Sequence, residues 1–282
     1  MPARKKSLAH GRPPTFRKPQ ASLSSKATRT LIRTHHQLQK EHAKALGSGD
    51  TAKAEDLQKQ IDENGGLKSY QAASITGQSS ERGGDSSKVL MDWLNLELKK
   101  SRSHEEANAP VYRLLEVGAL SPSNACSRSS SFSVTRIDLH SQHPGIETQD
   151  FMQRPLPTSE EEKFHLISLS LVLNYVPDAV GRGEMLRKTT MFLRTNEKTT
   201  SFPSLFLVLP APCVKNSRYL DEALLQEIME SLGYSLLQQK ISNKLVYYLW
   251  KYSVTELKVK KQFPKTEVNP GKTRNNFCVV LR

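Results

Sequence analysis

The chain has 282 residues and a formal net charge of +13, from 41 Lys and Arg against 28 Asp and Glu. A balance this positive favours a polyanionic partner, most often nucleic acid, although a solvated basic surface accounts for net charge alone equally well. There is no apolar run near the roughly 18 residues of a membrane span, and the three cysteines lack metal-ligand spacing, so we expect an intracellular protein without a membrane segment, a metal site or a disulfide framework.

The N-terminal 33 residues carry nine basic side chains and no acidic one. Residues 1–22 lack the apolar side chains that a packed core needs, so we predict a disordered basic tail there. Such a tail is typical both of contact with RNA phosphates and of a nuclear or nucleolar address, and the sequence leaves these two explanations open.

Two helices are predicted next, from Ser24 or Ser25 to about Leu46 and from about Thr51 to Asp62. Glycines follow each of them, which predicts a helical hairpin. Residues 65–88 are rich in Gly and Ser and are by default a flexible loop. We therefore assign residues 23–87 to a helical hairpin with a Gly/Ser-rich segment. Helical periodicity returns over 88–100.

From Pro110 onward, short β-type runs alternate with helical patterns over residues 180–194 and 218–232. The β-type runs are Tyr112–Val117, Ser133–Leu139, Phe164–Leu173, Ser204–Leu209, Lys244–Trp250 and Phe277–Leu281. The third and fourth are almost wholly apolar, which is typical of strands buried on both faces of a parallel sheet. The last two suit an antiparallel hairpin with a long loop. The sequence therefore predicts an open α/β sheet, mostly parallel, with a terminal antiparallel hairpin.

Candidate ligand-binding residues lie at the carboxyl ends of these strands, where an open parallel sheet binds its ligand. The first strand ends in Glu116-Val117-Gly118, and a glycine there lets the backbone approach a ligand without a Cβ in the way. Asp138 ends the second strand, 20 residues later, at the spacing of the acidic residue that binds ribose hydroxyls in nucleotide sites. A turn glycine and a surface acid explain this pair at least as well.

Two further observations favour an adenosine ligand without phosphates, of which S-adenosyl-methionine is one. The G-x-G-x-x-G fingerprint and the phosphate-binding lysine motif are both absent, so pyrophosphate cofactors and nucleoside triphosphates lose support. A later strand ends in Asn174-Tyr175-Val176-Pro177-Asp178, where an amide stands beside an aromatic ring. These two groups can hydrogen-bond to a base and stack on it. A β-turn started by Asn and Pro is the alternative.

Several segments together resemble the fungal 25S rRNA adenine-N1 methyltransferases, a class I methyltransferase family. They are Gly65-Gly66-Leu67, Tyr70-Gln71, Ala73-Ser74, Gly77-Gln78, RGGDSSK (82–88), LEVG (115–118), Asn124-Ala125-Cys126, RIDL (136–139), Gln149-Asp150-Phe151 and LVLNYVPD (171–178). The resemblance covers about residues 60–255, and RGGDSSK together with LVLNYVPD is its most specific part.

The resemblance implies the cofactor and the residues that hold it. It implies S-adenosyl-methionine as cofactor, bound through Glu116, Gly118 and Asp138. Asp150 and Phe151 stand where this superfamily often contacts the cofactor's adenine, through an acidic acceptor and a ring. The class I methyltransferase domain is then expected over residues 88–282.

The resemblance also implies methylation of adenine N1 in large-subunit rRNA. Asn174-Tyr175-Val176-Pro177 occupies the place of the Asn-Pro-Pro-Tyr motif of N6-adenine enzymes, without its second Pro–Tyr order. N1 has a free lone pair, so alignment at about 3–3.5 Å matters more than a strong base. We expect Asn174 to accept from the base's amino group, Tyr175 to stack on the base and Asp178 to offset the growing positive charge. Paired adenine hides N1, so the base must be unpaired or flipped.

Two departures from the family pattern predict a trimmed sheet. Residues 119–131 are short for the helix that normally follows the first strand, and residues 140–145 are too few for a full crossover helix. Two other functions stay open: an inactive RNA-binding assembly factor on the same fold, which the degenerate Gly motif suggests, and a methyltransferase acting on protein. In the main interpretation the partner is large-subunit rRNA or a pre-ribosome, in the nucleus and nucleolus.

Overall fold

The structure is a computed structural model that describes residues 25–66, 69, 72, 84–103, 111–141, 143–196, 199, 201–254 and 261–282. The basic tail predicted over residues 1–22 and most of the Gly/Ser-rich segment lie outside the described residues. No described helix has the length and apolar character of a membrane span.

The predicted helical hairpin is confirmed as α1 (Ser25–Gly47) and α2 (Thr51–Glu63). Asp50 begins α2, because its side chain accepts a hydrogen bond from the Lys53 backbone N–H at 3.1 Å and so satisfies one free donor of the first turn. The two helices bury a small apolar cluster of their own, formed by Leu38, Ala45, Ala54, Leu57 and Ile61. Leu46, near the end of α1, lies outside this cluster and is 56% exposed.

The strands form one seven-stranded sheet in the order β3-β2-β1-β4-β5-β7-β6. Their bounds are β1 Tyr112–Val117, β2 Phe132–Asp138, β3 Glu147–Thr148, β4 Leu166–Ser170, β5 Ser204–Pro210, β6 Tyr234–Ile241 and β7 Leu245–Tyr252. The first five are parallel, and β7 runs antiparallel to both β5 and β6. The predicted fold class is confirmed: a mostly parallel α/β sheet with a terminal antiparallel hairpin.

Helices cover both faces of this sheet. They are α3 (Ser87–Ser103), α4 (Ala179–Phe192), α5 (Pro212–Lys215) and α6 (Glu222–Ser231). Successive side chains of a strand point to opposite faces, so Leu114 belongs to the core under α3 and Leu115 to the core under α4 and α6. The predicted helix over 218–232 begins later, at Glu222, where Asp221 caps α6.

The strand that completes the hairpin was predicted wrongly. The partner of β7 is β6. Phe277–Leu281 lies outside the sheet, and its Leu281 forms only an isolated bridge to Phe263, which is also outside the sheet. β6 is an edge strand with mostly exposed side chains, so it lacks the apolar pattern of a half-buried strand. Phe277–Leu281 is apolar because it is buried against the start of α4, and we call this segment the C-terminal strap.

The trimmed crossovers are confirmed. The chain between β1 and β2 forms turns in place of a helix, and so do the described residues between β2 and β3. β3 itself has two residues. The carboxyl edge of β1 and β2 is therefore built by turns and by segments that come from elsewhere in the chain.

Gly183→Ala is expected to lower the free energy of unfolding by about 3 kcal/mol, at the upper end of the range for overpacking. A Cβ at Gly183 would lie 1.9 Å from the carbonyl oxygen of Val280, and backbone cannot give way as a flexible side chain can. Urea denaturation measures the loss. Gly47→Ala is the control, because nothing lies within 4 Å of its Cβ position. Equal stability of Gly183→Ala and the wild-type protein would contradict this packing of the strap.

Candidate active site

Gly118 forms a tight turn at the carboxyl end of β1. Its φ is +73°, which L side chains rarely adopt, and a Cβ there would lie 2.6 Å from Cγ2 of Val172. Its N–H donates to the carbonyl of Ile137 at 2.8 Å. The loop after β1 therefore meets the loop after β4 at a point that has room only for glycine.

Asp138 lies beside this turn, since β1 and β2 are parallel neighbours with Val117 opposite Ile137. Its carboxylate accepts a hydrogen bond from the His140 N–H at 2.9 Å. Partial burial raises the pKa of Asp138. The structure thus brings together Gly118 and Asp138, as their places at adjacent strand ends predicted.

Glu116 is a buried carboxyl on β1 that is only partly hydrogen-bonded. Its Oε1 accepts from Nδ2 of Asn124 at 2.5 Å, while its Oε2 is buried without a hydrogen-bond partner in the described part of the chain. Burial raises the pKa of Glu116 to about 7, and the negative charge of Asp85 adds to this rise. An acceptor in this state suits a donor or a cation that arrives with a ligand.

Residues 84–88 are the described part of the RGGDSSK motif, and residues 84–87 lie against the same edge. Oδ2 of Asp85 accepts from the Ala125 N–H at 2.5 Å, and Oδ1 accepts from the hydroxyl of Ser87 at 2.6 Å. The hydroxyls of Ser86 and Ser170 are 2.7 Å apart, which joins the motif to the end of β4. No task for Asp85 was predicted from the sequence alone. In the structure, Asp85 holds the turn that contains Asn124, and the side chain of Asn124 in turn donates a hydrogen bond to Glu116.

Asn174 and Tyr175 lie in the turn that follows β4. Oδ1 of Asn174 is buried and has no hydrogen-bond partner among the described residues. The backbone N–H of Tyr175 donates to Val172 at 2.9 Å, and its ring is partly exposed. Leu171, at the start of the turn, has φ +59°, a left-handed conformation that costs about 1–3 kcal/mol for a non-glycine residue. Strain and an unused buried acceptor are features of a binding site.

Asp178 has a structural task that sequence analysis did not predict. Its side chain is exposed, and its Oδ1 accepts from the Gly181 N–H at 2.8 Å, so it is the N-cap of α4. This capping bond uses one carboxylate oxygen of Asp178 and gives the residue a structural task. A part in offsetting the positive charge on the base stays a prediction.

Asp150 and Phe151 are divided between surface and core. The ring of Phe151 is 2% exposed and packs against Phe192, with ring centroids 5.4 Å apart. The carboxylate of Asp150 accepts from the Met152 N–H at 2.8 Å, after the short strand β3. The ring of Phe151 thus belongs to the core, whereas the half-exposed Asp150 stays near the edge where a cofactor is expected.

The acceptors at this edge fit S-adenosyl-methionine, which brings an ammonium group, ribose hydroxyls and a positive sulfonium. Glu116, Asp138 and Asn174 all present side-chain oxygens there, and two of them include a buried oxygen without a partner among the described residues. In that part of the chain there is no group of three His, Cys, Asp or Glu residues that could hold a metal ion. The ammonium group and the ribose hydroxyls of the cofactor are hydrogen-bond donors, and these side-chain oxygens are the acceptors that they require.

Replacing Glu116 by Gln is expected to flatten the dependence of stability on pH. The raised pKa means that the folded state holds the proton more tightly than the unfolded state, so this contribution is full below pH 4.5 and is lost as pH rises through 7. The difference amounts to about 3 kcal/mol. Gln keeps the acceptor for Asn124 but does not titrate. Urea denaturation at pH 5 and pH 8 measures both proteins, and parallel stability profiles would contradict the buried ionisable carboxyl.

Comparisons with known proteins give a consistent result. Residues 55–279 match the family model Bmt2, described as 25S rRNA (adenine(2142)-N(1))-methyltransferase. The chain is 41% identical over 250 residues to a Schizosaccharomyces pombe protein named 25S rRNA adenine-N(1) methyltransferase, covering 88% of this chain and 89% of that one. It is also 41% identical over 251 residues to the Saccharomyces cerevisiae 25S rRNA (adenine(2142)-N(1))-methyltransferase, covering 87% and 70%.

Solved structures that are similar to this chain are more distant. The N-methyltransferase NodS from Bradyrhizobium japonicum, in complex with S-adenosyl-L-homocysteine, is 12% identical with a TM-score of 0.36, covering 57% of this chain and 87% of NodS. The O-methyltransferase NcsB1 from neocarzinostatin biosynthesis, in complex with S-adenosylmethionine, is 12% identical with a TM-score of 0.42, covering 79% and 70%.

Proposed function

The chain belongs to the family of 25S rRNA adenine-N1 methyltransferases, S-adenosyl-methionine-dependent enzymes, and we propose that the carboxyl edge of its sheet is the site of that reaction. The observation that carries this proposal is a pair of buried acceptors, at the ends of β1 and β4, that have no hydrogen-bond partner among the described residues. One is Oε2 of Glu116, in β1 close to the turn at Gly118, and the other is Oδ1 of Asn174, in the turn that contains Val172.

Three residues are proposed to hold the cofactor. Gly118 contacts the ligand through the backbone of the turn that its positive φ allows, and Asp138 accepts hydrogen bonds from ribose hydroxyls. Glu116 offers its unpartnered oxygen to the ammonium group, whose charge favours the ionised carboxylate. When bound, S-adenosyl-methionine supplies an electrophilic methyl group. Asp150 follows β3, the strand next to β2, and remains a candidate for the contact with the adenine of the cofactor.

The turn after β4 is proposed to hold the substrate base. Asn174 accepts from the exocyclic amino group of adenine through its unpartnered Oδ1, and Tyr175 stacks on the ring. These contacts orient N1 towards the cofactor side of the site. Because N1 has a free lone pair, no general base is needed to activate it. Asp178 is also used as a helix cap, so the oxygen of Asn174 is the main acceptor we assign to the charge that develops on the methylated base.

The remaining parts of the chain are proposed to serve the RNA. We propose residues 88–282 as the catalytic domain, with residues 84–87 closing its edge, and the helical hairpin with its basic tail as the part that contacts rRNA phosphates. The reaction then takes place in the nucleus, on rRNA or a pre-ribosome in the nucleolus.

Labelled S-adenosyl-methionine separates this function from its alternatives. The full chain is incubated with the labelled cofactor and either total RNA or total protein from cells that lack the corresponding methylation. Label in the large-subunit rRNA is expected. Label in protein would favour a protein methyltransferase, and RNA binding without label would favour an inactive assembly factor.

A further inference from the structure

Arg182 is a buried cation near the site that the proposed chemistry leaves without a task. It is 4% exposed, and it forms no ion pair with a carboxylate in the described part of the chain. Burying an uncompensated charge costs several kcal/mol or more, so its partners must offset that cost. The contacts of the guanidinium therefore show what stabilises this buried charge.

The guanidinium binds three backbone carbonyls on two separate segments. Its Nε donates to Val176 at 3.0 Å and its Nη2 to Pro177 at 3.2 Å, both in the loop that follows Asn174. Its Nη1 donates to Cys278 in the C-terminal strap at 2.8 Å. The ring of Phe277 lies beneath the cation, 4.5 Å from Cζ. One planar fork thus joins the proposed base-binding loop to the strap.

The strap is itself fixed firmly. The Val280 N–H donates to the carbonyl of Ala179 at 2.9 Å, and Gly183 approaches the Val280 carbonyl closely. On its other side, the buried hydroxyl of Ser217 donates to the carbonyl of Phe277 at 2.5 Å. The strap therefore serves as a rigid support to which Arg182 attaches the loop.

We propose that Arg182 is a positioning residue for the substrate base, acting through the carbonyls of Val176 and Pro177 on Asn174 and Tyr175. This inference rests on the proposed function of the loop after β4. The backbone bond from Tyr175 to Val172 holds the first part of the loop. Its far side is held by the cap that Asp178 forms on α4 and by the bonds from Arg182 to the carbonyls of Val176 and Pro177. Gly118 directly follows β1 and Asp138 ends β2, and the side-chain hydrogen bonds of Arg182 go to Val176, Pro177 and Cys278 instead of to either of them.

The test is Arg182→Lys, which keeps the charge but loses the planar fork. The single-turnover rate of methyl transfer to rRNA is expected to fall about 10- to 100-fold, because small misplacements of reacting groups cost this much. The dissociation constant for S-adenosyl-methionine, measured by calorimetry, is expected to change less than about two-fold. All rates are taken well below the Tm of each variant.

Ser217→Ala is the matched control, since it removes a buried bond to the same strap without contacting the loop. If Arg182→Lys keeps the wild-type rate, or loses no more rate than Ser217→Ala at a similar loss of Tm, the positioning role is wrong. If Arg182→Lys fails to fold, Phe277→Leu replaces it. That variant removes the ring beneath the cation and keeps the three carbonyls, and a rate loss with unchanged cofactor affinity is again expected, while an unchanged rate overturns the proposal. The wild-type protein and Asn174→Ala report separately on the proposed function.

Discussion

Replacing Asn174 by Ala is expected to lower the single-turnover rate of methyl transfer about 100-fold, the loss typical of a preorganised electrostatic contact in an active site. The buried Oδ1 of Asn174 has no partner in the described part of the chain, so its removal leaves no protein group unpaired. Its effect should therefore appear in the reaction more than in stability. Cofactor affinity is expected to stay within about two-fold, because the proposed cofactor residues lie on other strands.

The matched control is Asn276→Ala, at an exposed amide outside the site. It should keep the wild-type rate. Rapid-quench measurements with saturating cofactor and rRNA give the rate, and calorimetry gives the affinity. A rate for Asn174→Ala equal to that of the control would remove Asn174 from the proposed chemistry, and an equal loss of rate and of cofactor affinity would place it in the cofactor site.

Replacing Asp138 by Ala is expected to weaken the binding of S-adenosyl-methionine by about 2 kcal/mol, or roughly 30-fold in Kd, because charge-assisted hydrogen bonds to the ribose are lost. In the structure its carboxylate is only partly buried and binds the His140 N–H, so a hydroxyl pair can reach it. Asp138→Asn should lose less, since an amide oxygen still accepts.

Calorimetry on the free protein measures this change without any need for catalysis. Asp50→Ala is the control, because Asp50 also accepts a backbone hydrogen bond but caps α2 in the helical hairpin. Cofactor affinity of Asp138→Ala that matches the wild-type value would mean that the ribose lies elsewhere. A matching loss in Asp50→Ala would point to general destabilisation.

The sequence predicted those strands whose side chains are buried on both faces. β4 and β5 are apolar runs, and β1 was placed within its observed bounds because turn residues flank it. β6 was missed because an edge strand keeps its polar side chains in water. The strap was mistaken for a strand because a short apolar run has the same pattern whether it pairs in a sheet or packs beside a helix.

The candidate site divides in a similar way. Gly118 and Asp138 were found because parallel topology alone brings adjacent strand ends together. Asp85 and Arg182 were not, because each also binds a distant segment, at Ala125 and Cys278, which lie 40 and 96 residues away in the sequence, and such pairs leave no local pattern. Asp178 was given a chemical task because a helix N-cap and an active-site carboxylate look the same in a sequence.

The identity of the nucleoside product tests directly whether this site methylates adenine N1. Large-subunit rRNA is methylated in vitro by the wild-type chain and by Asn174→Ala, digested at neutral pH and analysed by mass spectrometry against 1-methyladenosine and N6-methyladenosine standards. We expect 1-methyladenosine with the wild-type chain and almost none with Asn174→Ala in the same time. N6-methyladenosine as the direct product would rule out N1 methylation, and equal yields of 1-methyladenosine from both proteins would rule out the proposed role of Asn174.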